Sequence, residues 1–194
     1  MKLLWVGTDV LCQLRYPPYI QLRFRVKIFF ERIIARLIQP FIERNIAVSE
    51  GLKKDLEGIG YKNIIIRPDP VKYTEVYPKV EHVGVNVLYY IPRGKRNQKF
   101  TEWLYGWDVW QDYKKSHSDY NFIEVNGLHD MSKVYPIIDL YFRPTRYDGA
   151  SRMVQECKIQ GIPTIHFMAV FMAALITQPR RISKSWDIWM EFKQ

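Results

Sequence analysis

Residues 138–165 read IDLYFRPTRYDGASRMVQECKIQGIPTI, and this stretch decides the fold. Leu140, Tyr141 and Phe142 form a short apolar run that Pro144 stops, and Asp148-Gly149 supplies a turn. From Ala150 to Gln160, Met153, Val154, Cys157 and Ile159 recur at near-helical spacing. Gly161 and Pro163 then end the pattern before the short Thr164-Ile165. Strand, turn, helix, turn and strand make one βαβ unit.

The turn of this unit presents its chemistry. Backbone N–H groups of Gly149, Ala150 and Ser151 would sit at a helix N-terminus, where free donors and the macrodipole favour a phosphate or sugar hydroxyls. Asp148 and Glu156, eight residues apart, would set two carboxylates about 12 Å apart along one helix face, one for a hexose and one for a ribose diol. Arg143, Arg146 and Arg152 add charge that would neutralise a diphosphate. An Asp-Gly turn opening an amphipathic helix is nonetheless common in α/β proteins, so a second segment has to carry part of the argument.

Outward from the centre, strand and helix patterns alternate. Residues 122–125 form a strand, Asn126-Gly127 a turn, and residues 131–135 a short helix stopped by Pro136. Residues 100–113 are expected as one helix with Trp103, Trp107 and Trp110 packed on one side as core. Residues 85–91 form a strand, with Pro92-Arg93-Gly94-Lys95-Arg96 directly after it. Residues 72–84 lack a clear period and read as a linker. Ile64, Ile65 and Ile66 read as a buried strand, residues 50–59 as a helix capped by Ser49, and residues 45–48 and 2–6 as further strands. The apolar residues of 167–176 and the aromatic ones of 185–192 suggest two more helices without a chemical task.

Between the first two strands, residues 19–44 are basic and amphipathic. Phe30, Ile33, Ile34, Leu37, Ile38 and Phe41 recur at helical spacing while Arg32, Arg36 and Arg44 lie mostly elsewhere, and Pro40 kinks or ends the helix. Two readings stay open: a core helix with a solvated basic face, or adhesion to an anionic membrane surface.

Composition narrows the class. A hydrophobic fraction of 47% with 15% aromatic residues is enough to build a core, which excludes a disordered chain. The net charge of +9 implies an anionic partner: a nucleotide diphosphate, lipid head groups or nucleic acid. Cys12 and Cys157 fit no metal or redox spacing and read as free thiols of a reducing cytosol, so neither a zinc site nor a cofactor is expected. The N-terminus reads as a strand rather than a signal peptide, and residues 167–176 are about half the length a bilayer requires.

Two segments then carry a resemblance. The central stretch, with Asp139-Leu140, Pro144-Thr145-Arg146, Asp148-Gly149, Glu156 and Gly161-Ile162-Pro163 in order, resembles the donor-site signature of retaining GT-B glycosyltransferases, family 4-like (glycosyl transferases group 1). Residues 45–60, NIAVSEGLKKDLEGIG, are similar to a second segment of the same family almost residue for residue. Arg67-Pro68-Asp69-Pro70-Val71 stands where that family has Pro-Asn-Gly-Val, and Ala150-Ser151 replaces its Phe-Gly.

The resemblance implies roles. Asp148 would contact the donor sugar and Glu156 would hold the nucleotide ribose, with Gly149, Ala150 and Ser151 beside the donor. Arg93 and Lys95 or Lys99 would bind the diphosphate, and His129 would lie near the nucleobase. Gly7-Thr8-Asp9 resembles the family's His-Gly-[ST]-Asp segment, which puts Val6 where a catalytic His often stands and leaves Asp9 as the nearest polar candidate.

The expected architecture is α/β, two Rossmann-like lobes with parallel sheets in an abbreviated GT-B arrangement: a shortened acceptor-side lobe at 1–80 and a nucleotide-sugar-binding lobe at 81–194. The expected function is transfer of a sugar from a nucleotide diphosphate sugar to a glycan, lipid or protein acceptor, with retention. The enzyme would be cytoplasmic or peripheral on an anionic membrane, need no metal, and complete its cleft as a homo-oligomer. A catalytically silent sugar-nucleotide binding module and a basic nucleic-acid-binding protein are the alternatives.

Overall fold

A computed structural model describes residues 2–5, 10–11, 22–92 and 98–166. The helices expected at 167–176 and 185–192, and the expected site residues Asp9, Arg93 and Lys95, lie outside these, as does Val6.

The first sheet holds β1 (Lys2–Trp5), β2 (Arg44–Ala47) and β3 (Ile64–Ile66) in the order β1-β2-β3, all parallel. Parallel neighbours require a crossover, which α1 (Leu22–Ile38) and α2 (Glu50–Gly58) provide. The Ser49 hydroxyl caps α2 by accepting from the Leu52 N–H at 3.3 Å, and Gly60, at φ +92°, turns the chain beyond its end. Leu52 and Leu56 point from α2 into a core with Trp5, Ala47 and Tyr61. Within this core the buried amide of Asn45 accepts from the Trp5 indole at 2.9 Å and donates to the Lys62 carbonyl at 2.7 Å.

The structure speaks against one of the two readings of α1, the core helix, and overturns one expectation for β3. The apolar stripe of α1 faces outward: Phe30, Ile33, Ile34, Leu37 and Phe41 are exposed, and Ile28 and Ala35 are buried instead. The stripe and the core-facing residues have the same period, so spacing could not tell them apart. The strand β3 pairs on one side only within the described sheet, and Ile65 and Ile66 are each 40% exposed rather than buried.

The second sheet orders β4 (Asn86–Tyr90), β5 (Asn121–Val125), β6 (Leu140–Arg143) and β7 (Thr164–His166) as β5-β4-β6-β7, again all parallel. Val87, Leu88 and Tyr89 of the inner strand β4 are completely covered, as a strand with both sheet faces packed requires. The single helix expected over 100–113 is two, α3 (Gln98–Tyr105) and α4 (Trp107–Ser116). Gly106 separates them at φ +68°, and a Cβ there would stand 2.2 Å from the Pro144 carbonyl oxygen. Trp110 on α4 stacks on Tyr89 at 4.6 Å and donates its indole N–H to Glu124 at 2.8 Å. Trp110 is buried and Trp107 half-buried in one cluster, as expected of core residues, whereas Trp103 is buried in a separate cluster with Leu11 and Leu104 rather than on the same side.

The helix of the central unit, α5 (Arg152–Ile159), starts two residues later than the spacing suggested. Ser151 is its N-cap, accepting from the Val154 N–H at 3.3 Å, so Gly149 and Ala150 belong to the preceding turn. The two sheets meet through Leu11, which packs with Trp103 and Leu104, and through Tyr147 and Ala150, which pack against the first core. Rossmann-like parallel sheets are thus the architecture of the chain.

Candidate functional site

The chain steps from β4 to β5 on one side and then crosses back past β4 to form β6 on the other. In an open parallel sheet such a reversal opens a crevice beyond the carboxyl ends of the strands. A cavity of about 410 Å³ lies there, lined by Tyr90 at the end of β4, Asn126 after β5 and Thr145 after β6. Val48, directly after β2, and Asp69, after β3, close it from the first sheet. The cavity therefore takes its walls from the carboxyl ends of both sheets.

Arg143, the last residue of β6, is buried under this cavity. Its Nε and Nη2 donate to Asp148 Oδ2 at 2.9 and 2.6 Å, and its Nη1 donates to the Tyr141 hydroxyl at 2.7 Å. Burial alone would push charge off the guanidinium, but Tyr141 and the Asp148 carboxylate more than offset it and raise its pKa. The cation holds the turn that presents Asp148 in place, and the Asp148 side chain remains 38% exposed at the cavity.

Glu156 is buried in the first turns of α5, where its two oxygens collect three donors. Oε1 accepts from the Lys72 N–H at 2.9 Å and the Tyr73 N–H at 3.4 Å, and Oε2 accepts from the Tyr135 hydroxyl at 2.6 Å. Burial first, then this bond to Glu156, raises the Tyr135 pKa, so its hydroxyl stays neutral and donates. One turn further, Gln160 accepts from the Tyr77 N–H at 2.9 Å and donates to the Glu75 carbonyl at 2.6 Å. The segment between the sheets is thus strapped to α5, and Lys72 and Tyr73 are brought to the cavity wall. Beside Glu156, burial and the neighbouring carboxylate push the Cys157 thiol up to about 12, which keeps it protonated and unreactive.

Of the residues expected to form the site, Asp148, Gly149, Ala150, Ser151 and Glu156 come together on one wall. The two carboxylates do not share a helix face, because Asp148 precedes α5. Lys99 is exposed on α3 and does not line the cavity. Arg152 and His129 line it, whereas Arg146 is turned away and donates to the Trp103 carbonyl and to Asp108. Sequence reasoning missed Lys72, Tyr73 and Tyr135 because nothing in a linker or a short helical turn marks a residue as the partner of a carboxylate more than twenty positions away. Among the described residues no cluster of three His, Cys, Asp or Glu side chains is arranged to hold a metal ion.

No protein-family model matches the chain, and no curated protein matches it. Solved structures do. The crystal structure of an S. aureus TarM mutant in complex with fondaparinux, alpha-GlcNAc-glycerol and UDP matches with a TM-score of 0.56 at 12% identity. A crystal structure of TarM matches with a TM-score of 0.50, also at 12% identity. Both alignments cover 85% of this chain and 36% of the TarM chain, so this chain spans little more than a third of TarM's length. At such identity the likeness shows the fold alone, the GT-B arrangement of Rossmann-like lobes.

Proposed function

We propose that the chain is a glycosyltransferase of the retaining, family 4-like type, which moves a sugar from a nucleotide diphosphate sugar to an acceptor. One observation carries the reading: a cavity at the carboxyl ends of two parallel sheets brings Asp148, Glu156, Arg152, Lys72 and the capped start of α5 to one place. That combination suits a ligand with hydroxyls at one end and a diphosphate in the middle. The fold likeness to TarM, one of whose crystal structures contains UDP, supports it.

In the proposed reaction the bond from the anomeric carbon to the diphosphate oxygen breaks, with positive charge developing on the ring and negative charge on the departing group, while an acceptor hydroxyl bonds to that carbon on the same face and gives its proton to the departing diphosphate. Arg152, Lys72 and the start of α5 would stabilise the departing charge, together with Arg93 and Lys95, the diphosphate ligands the resemblance implies. Asp148 Oδ2 is taken by Arg143, which leaves Oδ1 for a sugar hydroxyl. Glu156 uses three of roughly four acceptor positions, so one remains for the ribose. Asp9 would serve the acceptor side. The acceptor is a glycan, lipid or protein, and a cytoplasmic enzyme at a membrane surface, completed by a second copy, would suit a lipid.

A thermal-shift panel of UDP, GDP, ADP and dTDP with their sugar conjugates, run on the wild type and on Glu156→Gln, tests this. Stabilisation by one nucleotide that the variant loses supports the donor site and names the base; transfer assays with the anomeric configuration read by NMR then test retention. Silence across the panel, matched by direct binding measurements, rejects it. The commitment of Glu156 to protein donors favours one other reading, a module that binds the donor without turning it over; binding with neither transfer nor hydrolysis would identify it. Trp103 and Trp110 are buried and offer no stacking surface to a nucleic acid; salt-dependent RNA or DNA binding without nucleotide response would be the mark of that reading.

A further inference from the structure

The helix α1 has the wrong side out for a core helix. At about 100° per residue, Leu22, Val26, Phe29, Phe30, Ile33 and Leu37 fall within an arc of about 100°. They are between 40% and 77% exposed. The two buried residues, Ile28 and Ala35, lie on the opposite side, so the exposed arc is the one that points away from the protein. Phe41, just beyond the helix, continues the apolar surface.

Charge says what covers it. On the same wheel Arg25, Arg32 and Arg36 flank one edge of the arc, and Arg23 and Lys27 flank the other. The helix carries five basic side chains against one acidic, Glu31, and that one lies on the far side, paired with Lys27. A second copy of the same face would bring cationic edges against cationic edges. A surface that takes apolar side chains in the middle and offers negative charge on both sides is a bilayer of anionic lipid.

We propose that α1 is an in-plane membrane anchor that docks the protein on anionic phospholipid, with the Phe29, Phe30, Ile33 and Leu37 face inserted and the arginine edges at the headgroups. At about 26 Å, the helix would lie along the interface rather than cross it. No helix among the described residues is long and apolar enough to span a membrane. This inference does not depend on the sugar-transfer reading.

The test is flotation of the full chain with vesicles of phosphatidylcholine, with and without phosphatidylglycerol, over a salt series. Binding is expected with the anionic vesicles only, and it weakens as salt rises. Phe30→Ser with Leu37→Ser, and separately Arg25→Gln with Arg36→Gln, each lower the partition coefficient by about tenfold or more at an unchanged melting temperature. Leu128→Ser, which alters a leucine 92% exposed elsewhere on the surface, leaves binding intact. Absence of binding to anionic vesicles, or equal binding by the α1 variants, overturns the proposal. So does a lipid-free dimer, seen by light scattering, that Leu37→Ser dissociates.

Discussion

Arg143 and Asp148 stand five residues apart and are joined by two hydrogen bonds to a single carboxylate oxygen, at 2.6 and 2.9 Å. The pair spans the end of β6 and the turn before α5, so it sets where the cavity floor ends. Breaking it from the acidic side leaves a buried guanidinium that still donates to the Tyr141 hydroxyl at 2.7 Å but has lost its counter-charge. Asp148→Ala is therefore expected to cost about 1–3 kcal/mol in urea unfolding, below the range of about 3–5 kcal/mol for a fully buried pair because the Asp148 side chain is partly solvated. Arg143→Met, which removes the buried charge as well, is expected to cost less than Asp148→Ala; the reverse order would show that the pair is not what positions the turn.

Glu156 separates stability from ligand binding by the choice of replacement. Both backbone donors, Lys72 and Tyr73, bond to Oε1, which a glutamine carbonyl reproduces, and the new amide can donate to the Tyr135 oxygen. Glu156→Gln should thus unfold within about 1 kcal/mol of the wild type, whereas Glu156→Ala leaves three donors without their acceptor and should cost about 2–4 kcal/mol. Tyr135→Phe, losing one bond, falls between them. A glutamine variant as unstable as the alanine one would mean that the negative charge, and not the hydrogen-bond pattern, holds the strap.

Gly106 is where the site depends on a residue outside it. Its φ of +68° is unfavourable for any residue with a Cβ, and the added carbon would meet the Pro144 carbonyl at 2.2 Å and the Pro144 Cβ at 2.8 Å. Both atoms belong to the β6 exit loop, so the clash pushes directly on the segment that leads to Thr145. Gly106→Ala is expected to lose about 2–4 kcal/mol and to weaken any cavity ligand in the same protein, read by chemical denaturation and titration.

The same glycine shows what a sequence does and does not disclose. The βαβ order was legible because apolar runs and Gly-Pro punctuation are local, and it led to the right parallel sheets. The α3–α4 break was not, since Gly106 sits in a tryptophan-rich helical pattern and its reason for being glycine is Pro144, 38 positions on. Glu156 was found from its spacing to Asp148, yet its three protein donors come from residues 72, 73 and 135, a convergence that only the folded chain creates. The face of α1 stayed open for a different reason: periodicity gives the angle between apolar residues and says nothing about which side of the helix the sheet occupies.

Buried acids make the fold vulnerable to base. Burial is the largest cause in each of three groups, pushing Cys157, Tyr105 and Tyr141 all to about 12. Their ordinary values are 9.0 for the thiol and 10.0 for the phenols. A raised folded-state pKa means that the folded chain keeps protons which the unfolded chain releases. Stability from these groups is therefore fully present below pH 9, declines from there as the unfolded thiol and then the phenols ionise, and is lost toward pH 12. Urea midpoints taken across this range should fall with rising pH, and Cys157→Ala should move the onset of the fall upward toward the phenol value. In a Cys12→Ser background, Ellman's reagent should leave Cys157 unreacted in the native protein and modify it once urea is added. Prompt native modification would mean that the thiol beside Glu156 is open to solvent, and with it the back wall of the cavity.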